Sequence, residues 1–233
     1  YKNNFYQRLA YDEIFSTFLV NSEIRKKIKK IKKIKKNLDK KKQIDLIKKL
    51  EFSLTNDQIK TLEEINNDLC SPNKMFRLLQ GDVGSGKTIV SLLAAYNTVN
   101  SGFQAAVMAP TEILARQHYN LAKNLFPKNI NIELISGKSD YKTKKNILNR
   151  LAKSEINIIF GTHAIFQKKV IFGNLGLIVI DEQHKFGVNQ RKRLSDKGGN
   201  NCDVLLMTAT PIPRTLTMTM YGDMDLSIIR EKP

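Results

Sequence analysis

The sequence predicts an α/β protein: a parallel sheet covered by helices on both faces, with a long basic helix ahead of it. Three observations lead there. From Phe52 onward, short apolar runs alternate with stretches of helical period, the pattern of strands joined by crossover helices. The runs, such as Leu177-Ile178-Val179-Ile180, are apolar throughout, as strands buried on both faces are. The glycine-rich turn Gly81 to Thr88 follows one such run directly and leads straight into the helix-like stretch Ile89 to Thr98.

Taken in order, Leu9, Ile14, Phe18, Leu19, Ile24, Ile28, Ile31, Ile34 and Leu38 fall at the spacing of one apolar stripe, so a single long amphipathic helix is expected. From Arg25 to Lys42 there are twelve basic residues against one acidic, Asp39, so +11 of the formal charge of +17 sits in this stretch. Three readings stay open for it. It is a solvated lysine face on a helix packed against the body or another neighbour, a direct contact to DNA phosphates, or a membrane-surface helix. Residues 1–50 are thus expected to be a basic helical linker and residues 51–233 one globular domain. Strands are expected at Phe76 to Leu79, Gln104 to Met108, Ile132 to Ile135, Ile156 to Phe160, Leu177 to Ile180, Val204 to Met207 and Leu226 to Ile229, with helices between. Ligands of such sheets gather at the carboxyl ends of the strands.

Composition narrows the class. With 41% hydrophobic and 26% charged residues, the chain reads as a globular domain, and no apolar run approaches the roughly 18 residues of a membrane span. Cys70 and Cys202 stand apart, which suggests neither a disulfide framework nor a zinc site and points to a reducing cytosol. The start at Tyr1 and the uncapped Glu231-Lys232-Pro233 read as the boundaries of a piece of a longer protein.

Gly81-Asp82-Val83-Gly84-Ser85-Gly86-Lys87-Thr88 fits GxxxxGK[ST] between a strand and a helix. Glycines let backbone N–H groups surround a phosphate, and the next helix aims its positive end at the same place. Lys87 brings charge to the outer phosphates, and the Thr88 hydroxyl can join a Mg²⁺ shell. The competing reading is a glycine-rich turn with an incidental lysine. At the end of the run Leu177 to Ile180, Asp181 and Glu182 emerge side by side. Asp181 can hold Mg²⁺ through water, and Glu182 can orient and deprotonate an attacking water. Alone, such a pair is commonly a turn or a helix cap; beside a phosphate loop it reads as catalytic. His118, His163 and His184 lack metal-ligand spacing, and His184 stands out only by adjoining the carboxylates.

GDVGSGKT, APTEILARQ (Ala109 to Gln117), GTHA (Gly161 to Ala164), DEQH (Asp181 to His184) and TATPIPRT (Thr208 to Thr215), in this order, resemble the first RecA-like motor domain of the RecG family of bacterial superfamily-two DNA helicases, over roughly Phe52 to Pro233. The transcription-repair coupling factors share GTH and TATPIPRT but usually carry DEEH where Gln183 stands here, and they remain the alternative. DEAD-box RNA helicases are less similar, since His184 replaces their final Asp. The resemblance implies an ATP- and Mg²⁺-dependent motor that remodels stalled forks and Holliday junctions. It further implies a second RecA-like domain and a wedge domain as partners, with the whole acting as a cytoplasmic, nucleoid-associated monomer off the membrane.

By position, the resemblance implies that Phe52 and Gln58, in FSLTNDQ, contact adenine. A Gln amide can donate to and accept from an adenine edge, although Phe52 as core and Gln58 as helix surface is the alternative. Pro110, Thr111, Glu112, Thr162 and His163 would touch the DNA backbone, or else serve as ordinary caps. Gln183, His184, Thr208 and Thr210 would couple phosphate state to DNA grip, with Arg214 helping through an ion pair or a DNA contact. A P-loop kinase or GTPase would need an acceptor pocket or an NKxD motif, and no NKxD is present. A non-catalytic tether using the basic helix leaves Asp181-Glu182 without a task.

Overall fold

The computed structural model describes residues 4–137, 140–167, 169–181, 198–210 and 224–232. The elements run α1 (Asn4–Lys30), α2 (Lys40–Ile47), α3 (Asn56–Cys70), β1 (Phe76–Gly81), α4 (Lys87–Asn100), β2 (Gln104–Met108), α5 (Glu112–Leu125), β3 (Ile132–Ile135), α6 (Tyr141–Ala152), β4 (Ile158–Gly161), a 3-10 turn (His163–Phe166), β5 (Leu175–Ile180), β6 (Asp203–Thr208) and β7 (Asp225–Ile229). The seven strands form one sheet in the order β3-β4-β2-β5-β6-β1-β7, parallel at every pairing. Every expected strand is present, within two residues at each end.

The sheet alternates its side chains between two cores. Leu79, Val107, Phe160, Leu177, Val179 and Leu205 face α2 to α5, while Leu78, Met108, Ile159, Ile178, Ile180 and Leu206 face α6 and the 3-10 turn. That is the period of two in a strand whose faces are both covered, and it explains why these strands read as unbroken apolar runs.

The N-terminal segment departs from the single long helix expected through Leu38. α1 ends at Lys30, and the chain then runs extended to Asp39, whose side chain accepts from Lys42 N to start α2. The extended stretch is held by main-chain bonds from Lys33 N to Pro72 O, Lys36 N to Leu69 O and Lys74 N to Ile31 O. Two of its lysines turn inward. Lys33 Nζ lies 2.7 and 2.6 Å from the two carboxylate oxygens of Asp203, and Lys36 Nζ lies 2.6 Å from Asp203 Oδ2. Met75 N donates to Asp203 Oδ1 and Lys33 Nζ also donates to Asp68 O, so this buried charge group is well satisfied. Burial pushes the Lys33 ammonium below its ordinary value, opposed by the Asp203 carboxylate. These tertiary bonds outcompete the helical periodicity of Ile31, Ile34 and Leu38, because Lys33 N and Lys36 N donate to Pro72 O and Leu69 O and not to carbonyls of a continuing helix. Leu46 of α2 joins the first core, so packing against the body begins well ahead of the boundary expected at residue 50.

On α1 the expected stripe is open: Leu9, Ile14, Phe18 and Leu19 are about half exposed or more, and Ile24 and Ile28 are outside the described side chains. Arg25 pairs with Asp225 at the start of β7. No helix among the described residues is long and apolar enough to cross a membrane.

Candidate nucleotide and nucleic-acid site

The phosphate loop sits between the end of β1 and the start of α4. Gly84 and Gly86 both take left-handed backbone, with φ of 82° and 81°, which a Cβ would strain. Gly86 is constrained twice, because a Cβ there would lie 2.2 Å from Gln58 Nε2. Lys87 is buried, and its Nζ donates to Gly81 O at 2.6 Å and Asp82 O at 2.7 Å, inside the curl of the loop. Gly86 supplies no side-chain cap to the first N–H groups of α4. Ser85 Oγ is fully buried with no hydrogen-bond partner among the described residues. An uncapped helix start, an orphaned hydroxyl and a lysine folded into the loop fit the phosphates of a nucleotide. Thr88, half-buried, opens α4 beside Lys87.

Gln58 ties the loop to α3. Its Oε1 accepts from Thr55 N in a capping box, and its Nε2 donates to Ser85 O at 2.8 Å. The side chain is fully buried, so it is not a helix-surface residue. Phe52 is 44% exposed, so it is not core and presents a ring to solvent. Beside them, Asp57 accepts from Arg230 N and Glu231 N, pinning the chain that leaves β7 to the start of α3. Lys232 Nζ lies 3.8 Å from Asp82 Oδ2 of the loop.

Asp181 follows β5, with its N–H on Met108 O and its carboxylate 9% exposed as a residue. Its Oδ2 is 2.9 Å from His118 Nε2, a contact that spacing in the sequence did not signal. Thr208 ends β6, and its hydroxyl is 2.8 Å from that of Thr210, whose N–H it also accepts. Glu182, Gln183, His184 and Arg214 lie outside the described residues.

Thr111 caps α5 by accepting from Leu114 N, and Pro110 precedes it. The Glu112 carboxylate accepts from Gly137 N in the loop after β3, and Lys144 Nζ donates to Gly137 O. Glu112 thus braces the neighbouring loop from the start of α5. Thr162 is half-buried and His163 exposed at the end of β4.

The sheet order sorts these loops along one edge. From one end come the loops after β3 (Gly137), β4 (Thr162, His163) and β2 (Pro110 to Glu112). Asp181 after β5 and Thr210 after β6 occupy the middle, and the phosphate loop after β1 follows. Asp181 and the threonine pair thus lie between the two groups of loops.

Residues 54–219 match the model of the DEAD/DEAH box helicase family. The chain is 54% identical over 184 residues to the ATP-dependent DNA helicase RecG of Streptococcus pneumoniae, covering 79% of this chain and 27% of that protein. It is 46% identical over 228 residues to RecG of Thermotoga maritima, covering 97% and 29%. A solved structure of RecG bound to a three-way DNA junction superposes with a TM-score of 0.85 at 42% identity, over 97% of this chain and 30% of that one. The chain therefore spans under a third of the length of these relatives.

Proposed function

The chain belongs to the DEAD/DEAH box helicase family, and from that premise we propose that it is the ATP-binding motor domain of a RecG-like DNA helicase, coupling ATP hydrolysis to the remodelling of branched DNA. The observation that carries this reading is the order of loops along the carboxyl edge, with Asp181 and the threonine pair between the phosphate loop and the outer loops.

In this reading the loop N–H groups and Lys87 hold the outer phosphates, while Phe52 and Gln58 meet the adenine. Thr88 and Asp181 hold Mg²⁺, which neutralises charge on the phosphates when bound. Glu182 orients the attacking water and takes its proton. Pro110, Thr111, Glu112, Thr162 and His163 lie against the DNA backbone, which is met through hydroxyls, main-chain amides and a helix start, contacts that carry no base sequence, as a translocating motor requires. Thr208 and Thr210, with Gln183 and His184, pass the phosphate state to those loops. The second RecA-like domain and the wedge domain of the parent chain complete the machine, a cytoplasmic, nucleoid-associated monomer.

The experiment is the ATPase rate of the intact parent protein with forked, four-way, linear duplex and single-stranded DNA at fixed salt. Stimulation by forked and four-way DNA well above linear duplex is expected. Equal stimulation by plain duplex, or dependence on a stalled RNA polymerase, overturns the branched-DNA reading in favour of a coupling-factor motor.

A further inference from the structure

His118 belongs to none of the loops described above, yet it is buried on α5 with its Nε2 2.9 Å from Asp181 Oδ2; the two side chains are 9% and 12% exposed. A carboxylate is an acceptor, so the geometry suits an Nε2–H tautomer donating to Oδ2. The backbone of Asp181 is already fixed, by its N–H on Met108 O at the end of the β2–β5 ladder. The imidazole adds a restraint on rotation of the carboxylate about its own side-chain torsions, and it does so from outside β5. The same helix begins at Glu112, capped by Thr111 at the end of the neighbouring strand β2. From Thr111 to His118 is two turns, roughly 10 Å along a rigid helix axis.

We propose that His118 is a positioning residue for Asp181: it holds the carboxylate in the orientation that receives Mg²⁺ and ties that orientation to the DNA-facing start of α5. The proposal rests on the ATPase reading above. Partners that orient metal-binding groups from outside the metal's own shell characteristically change metal affinity by about 10- to 100-fold when removed. His118 is built for that part, being a directional donor, shielded from water, on an element separate from the one that carries the carboxylate.

The test uses the intact parent protein and a fluorescent ATP analogue, with binding followed as Mg²⁺ is titrated, so that no turnover is needed. His118→Leu is expected to raise the half-saturating Mg²⁺ concentration by about 10- to 100-fold and to leave Mg²⁺-free binding of the analogue unchanged. His118→Gln, whose amide nitrogen can reach the place of Nε2, is expected to recover most of the loss. A His118→Leu titration that overlays the parent's overturns the proposal, and so does a His118→Gln protein as impaired as His118→Leu. Asp181→Ala separates the two levels. If it raises the Mg²⁺ requirement and His118→Leu does not, the role of His118 alone falls; if neither does, the Mg²⁺-site reading falls with it. Should His118→Leu not fold, His118→Asn takes its place, because it draws the donor back from Asp181. An Mg²⁺ requirement raised in His118→Asn and near normal in His118→Gln supports the proposal, and equal values overturn it.

Discussion

At the scale of single residues, Gly86 carries two demands that a sequence motif compresses into one letter. Its φ of 81° strains any residue with a Cβ, and the space beside it holds the Gln58 amide. Gly86→Ala is therefore expected to cost about 1–2 kcal/mol of local strain and to push Gln58 off Ser85 O, weakening nucleotide binding more than overall stability; a nucleotide titration beside a thermal melt separates the two. Lys87→Ala is expected to abolish nucleotide binding, and Glu182→Gln in the intact protein to keep binding and stop turnover. A rate left unchanged by Glu182→Gln would remove that residue as the base. The loop was legible because its chemistry is local. Lys33 and Lys36 were not, because their partner Asp203 is 170 and 167 residues away and nothing in a run of lysines marks the two that point inward. Removing one member of a buried ion group leaves charge uncompensated, so Asp203→Asn is expected to cost about 3–5 kcal/mol, read by urea denaturation.

At the scale of elements, the strands were legible because burial on both faces selects mostly apolar residues, so the apolar run marks the strand. The N-terminal helix was legible only to Lys30: Ile31, Ile34 and Leu38 keep the period, but the bonds that straighten the chain come from Pro72, Leu69 and Asp203. The helix starts carry a pH dependence of their own. The Asp57 carboxyl is held below its ordinary range by the N–H groups of Arg230 and Glu231, that of Asp39 by Lys42 N–H, and that of Asp140 by the Thr143 side chain and N–H. A carboxylate whose folded value lies below its unfolded one stabilises the fold above the unfolded value and loses that effect as pH falls through the folded one. The thermal midpoint is therefore expected to drop as pH is lowered below about 4. Asp57→Asn should lower the midpoint at neutral pH and flatten that drop; an unaltered acid profile would show that the bond to residues 230 and 231 contributes nothing to stability.

At the scale of the whole molecule, the motor proposed above would place one side of the reaction on the edge loops of this chain and take the other from a second lobe. Phosphate loop, Asp181 and Thr210 are all here, in sequence along the sheet. The chain nevertheless covers only 27% to 30% of the relatives it matches, and in motors it resembles ATP is cleaved between two RecA-like domains, the second bringing an arginine finger. Such a finger contributes about 10³ to 10⁵ in rate. These 233 residues alone are therefore expected to bind Mg-ATP weakly and to hydrolyse it at least about a thousandfold more slowly than the intact parent, with little response to DNA. Comparing the two rates at saturating nucleotide, with and without forked DNA, checks this. Strong DNA-stimulated turnover by the shorter chain would mean that its own loops complete the transition-state charge, and that the division of labour between two lobes is wrong for this motor.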